Sequence, residues 1–207
     1  MPTALWVLGG VGLAAAASGS SSDNGGNKNA PIITSNGGAA TASINVAENA
    51  TAVTTVTASD ADAGDIKIFS ISGGADAAKF TINASTGALA FVAAPNFEAP
   101  SDAGGNNVYD VTVTVTDSGG MTDVQSIAVT VTNANDAPVF TSPTTGSVAE
   151  NSTAVLAVVA TDADLPAQTL SYSISGGADA AKFTINASTG ALAFAAAPDF
   201  EAPTDAG

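Results

Sequence analysis

Between Ile32 and Thr132 the chain alternates β-branched and apolar residues with polar ones at a period of two. Clusters of Gly, Asn and Asp interrupt the alternation, as turns between strands do. The clearest runs are Val108–Thr116 (VYDVTVTVT) and Asp123–Thr132 (DVQSIAVTVT). The same pattern predicts strands over Ile32–Thr34 with Ser43–Ala47, Ala52–Ala58, Ile66–Ser72, Lys79–Ile82 and Ala88–Val92. The stretch Ala75–Ala78 is read as one helical turn, with Asp76 exposed beside it. Seven strands within about 100 residues predict an all-β, immunoglobulin-like Greek-key sandwich.

The pattern then repeats. Ser70–Phe91 (SISGGADAAKFTINASTGALAF) recurs without change as Ser173–Phe194. Ala47-Glu48-Asn49 recurs as Ala149-Glu150-Asn151, and Asp60-Ala61-Asp62 as Asp162-Ala163-Asp164. Pro95-Asn96-Phe97-Glu98-Ala99-Pro100 returns as Pro198-Asp199-Phe200-Glu201-Ala202-Pro203. A period of about 100 residues indicates tandem sandwiches, not a solenoid. The predicted division is 1–29 as leader and linker, 30–136 as a first domain and 137–207 as a second. The match ends at Gly207, the counterpart of Gly104, so the second copy is expected to be truncated and to lack the last two strands. It should then be unstable, prone to aggregate or completed by another chain, with an edge along Leu170–Ser175 and with Ile174 and Leu192 partly wet.

Composition narrows the chemistry. Four basic and nineteen acidic residues give a net charge of -15. Nucleic acid is excluded as a partner, because its phosphates need basic side chains. There is no Cys and no His, which removes disulfides, thiol and Ser-His catalysis, and the usual zinc and copper sites. Carboxylates, Asn side chains and backbone carbonyls remain, the ligands of hard cations.

Strand direction collects those oxygens at two ends. If the first strand runs downward and each later strand reverses, Glu48, Asn96, Glu98, Asn133, Asn135 and Asp136 converge on the bottom pole. Asp60, Asp62 and Asp117 converge on the top. In a head-to-tail array the bottom of the first copy meets the top of the second, where Asp162 and Asp164 join Glu48, Glu98 and Asp136. Carboxylates so crowded repel, and Ca²⁺, with six to eight oxygen ligands, resolves the conflict. The competing reading is that the acidic loops only keep an Ala/Val-rich surface soluble or mark a saline habitat.

With these motifs in place, Ala30 to Gly207 resembles tandem cadherin repeats of the kind found in bacterial surface proteins. Ala47-Glu48-Asn49 resembles the family's x-E-N, and Asp60-Ala61-Asp62 and Asp162-Ala163-Asp164 its D-x-D. Val115-Thr116-Asp117 resembles A-x-D, and Asp199-Phe200-Glu201 matches D-x-E, where Asn96 replaces the Asp in the first copy. Asn133-Ala134-Asn135-Asp136-Ala137-Pro138 resembles the linker D-x-N-D-N-A-P, with Asn for the first Asp and without the second Asn. The resemblance implies Ca²⁺-stiffened rods that mediate adhesion, with Glu150, Asp199 and Glu201 carrying the same role at the far end of the second copy. Each missing carboxylate implies weaker Ca²⁺ binding than in animal cadherins. Their exchange of an N-terminal Trp does not carry over, because Trp6 lies in an apolar leader.

That leader, Ala4–Ala17, is too short to span a bilayer, which takes about 20 residues, and has the length of a signal-peptide core. It lacks a basic residue before it. The chain is therefore expected to be exported, to the cell surface or beyond, with membrane association open. Asp60–Ile71 does not complete an EF-hand loop, because Ile71 stands where Glu is needed. Glu98 and Asp102 lack the aromatic platform of a glycosidase pair. The leading expectation is a non-enzymatic Ca²⁺-binding adhesion module whose partners are neighbouring repeats and another surface protein or a glycan. The alternatives are a spacer or a carbohydrate-binding accessory domain of a larger extracellular enzyme.

Overall fold

A computed structural model describes residues 28–206. The apolar leader with Trp6, the linker up to residue 27, and Gly207 lie outside the described residues. The first repeat holds β1 (Ile32–Ile33), β2 (Thr41–Ala47), β3 (Ala52–Thr55), β4 (Ala58–Ser59), β5 (Ile68–Gly73), β6 (Phe80–Ile82), β7 (Ala88–Phe91), β8 (Val108–Thr116) and β9 (Thr122–Thr132). The second holds β10 (Val139–Phe140), β11 (Ala154–Ala157), β12 (Ala160–Thr161), β13 (Phe183–Ile185) and β14 (Ala191–Phe194). Among the described residues no helix is long and apolar enough to cross a membrane.

The first repeat is a two-sheet sandwich. One sheet runs β2-β9-β8-β5 and the other β3-β7-β6, with β1 and β4 paired beside them. Strands β8 and β9 form because their alternation gives one wholly apolar face. Tyr109, Val111, Val113 and Val115 point inward from β8, and Ile127, Val129 and Val131 from β9, and all seven are buried. Each such side chain contributes about 1.5–3 kcal/mol by leaving water. The facing sheet supplies Phe80, Leu89 and Phe91. Phe80 stacks on Phe91 at 4.6 Å, and Tyr109 meets Phe91 edge-on at 5.2 Å. Strand β2 runs parallel to β9, so Glu48, one residue past β2, and Asn133, one past β9, reach the same end.

Three details differ from the expected elements. The strand predicted over Ala52–Ala58 is split into β3 and β4, because the Val56 amide turns aside to the Gly87 carbonyl at 2.8 Å. Gly87 allows this with φ +70°, and a Cβ there would lie 2.0 Å from the Val56 oxygen. The expected helical turn sits slightly later, at Ala77–Lys79. Asp76 is not exposed: it is buried, and its carboxylate accepts the Ala103 amide at 2.6 Å and the Asp110 amide at 3.0 Å.

The second repeat forms the β11-β14-β13 sheet and the β10-β12 pair. These match β3-β7-β6 and β1-β4. Among the described residues, 143–149 and 167–177 belong to no strand, although they carry the sequences that match β2 and β5. Ile174 is 36% exposed and Leu192 is half-buried.

Candidate metal centre

The end of β2 and the loops after β7 and β9 bring three carboxylates together. One oxygen each from Glu48, Glu98 and Asp136 lies within 4.8 Å of the others. Glu48 is 2% exposed and acts as the anchor. Its Oε2 accepts the Phe97 amide at 2.8 Å and its Oε1 accepts the Ala134 amide at 2.9 Å. These bonds fix the loop before Glu98 and the linker before Asp136, so the carboxylates meet by construction.

The linker carries the cluster to the second repeat. The Asp136 amide donates to Asp164 Oδ2 at 3.1 Å, and the Asp164 amide donates to Asp162 Oδ1 at 3.0 Å. Asn133 Nδ2 donates to Glu98 Oε1 at 3.2 Å and to the Leu165 carbonyl at 3.0 Å, spanning both sides. Asn135 Nδ2 donates to the Asp136 carbonyl at 2.8 Å. Gln168 closes the group: its Nε2 donates to Asp164 Oδ2 at 2.7 Å and to Asn135 Oδ1 at 3.0 Å.

The electrostatics are those of an anionic pocket short of positive charge. Burial raises the Glu98 pKa, and the neighbouring Glu48 and Asp136 add to the rise. Burial also raises that of Asp164, reinforced by Asp162 and Asp136 against the bond from the Asp136 amide. Glu98 Oε2 and Asp164 Oδ1 are buried with no hydrogen-bond partner.

A second group sits at the opposite end of the first repeat. Asp60, Asp62 and Asp65 bring their oxygens within 4.8 Å of one another. Asp62 receives the Lys28 and Asn29 amides at 2.7 and 2.8 Å, and these bonds lower its pKa. Asp117 is buried in the β8–β9 turn, where its Oδ1 accepts the Met121 amide at 2.8 Å and its Oδ2 has no partner. A third group, Glu150, Asp199 and Glu201, is exposed. Phe200 donates its amide to Glu150 there at 3.2 Å, as Phe97 does to Glu48. Asn96 is spent on its own turn, with its Oδ1 accepting the Ala99 amide at 2.7 Å.

Two residues that the motifs do not mark belong to these groups. Asp65 joins Asp60 and Asp62, and the Ser118 hydroxyl donates to it. Its signal was its place three residues after Asp62. Gln168 carries no such signal, because only the path of the chain after Leu165 brings it over Asp164.

The donor set fits a hard cation. Among the described residues, four carboxylate oxygens are buried without a partner, on Asp60, Glu98, Asp117 and Asp164. A buried carboxylate oxygen left unpaired is costly, and a divalent cation is the group that satisfies several at once.

Residues 42–132 match the family model of the cadherin domain. The chain is 33% identical over 153 residues to the protocadherin-like wing polarity protein stan of Drosophila melanogaster, a match covering 69% of this chain and 4% of that protein. It is 36% identical over 117 residues to halomucin of Haloquadratum walsbyi, covering 52% of this chain and 1% of that one. The chain thus spans a small fraction of the length of these relatives. Domains 1 and 2 of human protocadherin-24 superpose with a TM-score of 0.51 at 24% identity, covering 86% of this chain and 82% of that one. The fold is therefore the immunoglobulin-like sandwich seen in the cadherins, and residues 42–132 are similar in sequence to the cadherin domain.

Proposed function

We propose that the chain is a non-enzymatic segment of an extracellular, calcium-stiffened adhesion rod, with one domain over 30–136 and a second from 137 onward. Cadherin domains are adhesion modules, and the acidic groups lie at the ends of the repeats, where such modules join. In this reading Glu48, Glu98, Asn133, Asn135, Asp136, Asp162 and Asp164 hold Ca²⁺ at the junction. Asp60, Asp62 and Asp117 hold it at the near end of the first domain, joined by Asp65. Glu150, Asp199 and Glu201 serve the far end of the second, and Asn96 contributes through its turn. The partners are neighbouring repeats and a surface protein or glycan of another cell. The observation that carries the reading is the set of unpartnered buried oxygens on Asp60, Glu98, Asp117 and Asp164.

Calcium binding only the folded state must stabilise it. Melting followed in EDTA and in millimolar Ca²⁺ should show a rise of several degrees, with heat of binding by calorimetry. Glu98→Ala and Asp136→Ala should each weaken binding at least about tenfold, the loss of one buried charged ligand. Asp110→Ala, whose side chain is exposed on β8, should bind as the parent does. An unchanged melting point without heat of binding would overturn the reading.

A further inference from the structure

Two turns of identical sequence stand apart from the acidic groups. Asn83-Ala84-Ser85-Thr86-Gly87 joins β6 to β7, and Asn186-Ala187-Ser188-Thr189-Gly190 joins β13 to β14. Each contains the triplet Asn-x-Ser, the acceptor pattern for an N-linked saccharide, which requires a surface loop. Both asparagines are exposed. Asn83 Oδ1 accepts the Ser85 amide at 3.0 Å and the Thr86 amide at 2.9 Å. Asn186 Oδ1 accepts the Ser188 and Thr189 amides at the same two distances. Only the oxygen of a side-chain amide can accept, so each turn holds Oδ1 inward and aims Nδ2 at solvent. Neither Nδ2, nor the hydroxyl of Ser85 or Ser188, has a partner among the described residues.

Two further triplets, Asn49-Ala50-Thr51 and Asn151-Ser152-Thr153, have the pattern without this geometry. Asn49 Nδ2 is spent on Asp136 Oδ1 at 3.0 Å. Both asparagines have positive φ, 62° and 59°, and give their backbone amides to the Pro95 and Pro198 carbonyls at 3.0 and 2.9 Å. The Thr51 and Thr153 carbonyls accept the Phe91 and Phe194 amides at 2.7 and 2.8 Å, which ties each triplet into a sheet. A saccharide on either would stand next to Glu48 or Glu150, members of the acidic groups.

We propose that Asn83 and Asn186 are N-glycosylation sites, one per repeat, and that Asn49 and Asn151 are not. The inference rests on the extracellular part of the proposed function, since the chain must meet a membrane-bound oligosaccharyl transferase, and it is independent of calcium. In the reaction Nδ2 attacks the anomeric carbon of a polyprenyl-diphosphate saccharide. The N–C bond forms as the C–O bond to phosphate breaks. The diphosphate leaves with the electron pair, and one Nδ2 proton passes to the transferase.

An asparagine that only shapes its turn would make the same bonds, so the test separates the two roles. The folded full chain is incubated with a transferase already shown to glycosylate all four triplets as synthetic peptides, together with its lipid-linked donor. Peptide mass mapping should find the saccharide added at Asn83 and Asn186 at least about tenfold faster than at Asn49 and Asn151, which react only through local opening. Asn83→Asp keeps both acceptor bonds and removes the nitrogen, and Ser85→Ala keeps the turn and removes the hydroxyl of the triplet. Each should lose the first site alone and melt with the parent. Transfer to all four at equal rates, or to none, overturns the proposal. Chain recovered by surface labelling of its own cells should carry the same two saccharides. Chain that is labelled but bare at Asn83 and Asn186 overturns this inference alone. Chain that is never labelled overturns the extracellular reading and the inference with it.

Discussion

The two repeats share one sequence from Ser70–Phe91 to Ser173–Phe194 yet differ in burial. Leu89 is 2% exposed and Phe80 is buried, whereas Leu192 and Phe183 are half-buried. The local structure is nonetheless the same. Phe183 stacks on Phe194 at 4.5 Å and 30°, as Phe80 does on Phe91 at 4.6 Å and 27°. Strands β13 and β14 pair in the register of β6 and β7. Short-range pairing is therefore written into the stretch itself. The strands that need a distant partner are not: β2 and β5 exist beside β9 and β8, and their counterparts at 143–149 and 167–177 are not strands. Burial here is a property of the cover, not of the residue covered.

The largest effect should come from making the first repeat resemble the second. Val113 is fully buried at the centre of β8, opposite Ile71 of β5 and Gln125 of β9. Val113→Asp places an unpaired charge there and should cost about 4 kcal/mol or more. Urea unfolding monitors the loss. Hydrogen exchange should then run as fast at 41–47 and 68–73 as it does at 143–149 and 167–177. Retained protection at those strands would show that β2 and β5 do not depend on the hairpin.

A smaller effect sharpens the comparison at equivalent aspartates. Asp102 is buried and accepts the Asn106 and Asn107 amides, each at 3.0 Å. Burial opposes its ionisation, but those amides outweigh it and hold the pKa below the ordinary value. Its counterpart Asp205 is exposed. Asp102→Ala should destabilise the first repeat by about 2 kcal/mol, the worth of hydrogen bonds to a charged group. Asp205→Ala should stay within about 0.5 kcal/mol. A depressed folded pKa means that the stabilisation is present above the ordinary aspartate range and is lost as pH falls through the folded value. The difference between parent and Asp102→Ala should therefore shrink in acid. A penalty that is constant with pH would assign the effect to packing.

Much of this was legible in the sequence. Period-two alternation located β8 to the residue and β9 to within one, because both strands bury one whole face. The x-E-N and linker motifs located Glu48 and Asp136, since strand direction alone sends the ends of β2 and β9 to one pole. What was not legible depends on bends within strands and on loop paths. The break between β3 and β4 comes from the Val56–Gly87 bond across the fold. Asp76 was misread as exposed because nothing local shows that its carboxylate ties the Ala103 and Asp110 amides. Asp65 and Gln168 lie in loops whose course no periodicity encodes.

The smallest effect concerns Gln168, which has no motif counterpart in the first repeat. There the aspartate matching Asp164 is Asp62, held by the backbone amides of Lys28 and Asn29. At the junction a side-chain amide does part of that work, from an exposed position over a buried carboxylate. An amide N–H on Asp164 Oδ2 competes with a cation for the same oxygen. The bond is half-buried and single, so its removal should raise Ca²⁺ affinity only about two- to fivefold. Calorimetric titration of Gln168→Ala against the parent measures the ratio directly. A fall in affinity would mean that Gln168 turns its carbonyl toward the cation and serves as a ligand, which would reverse its role at the junction.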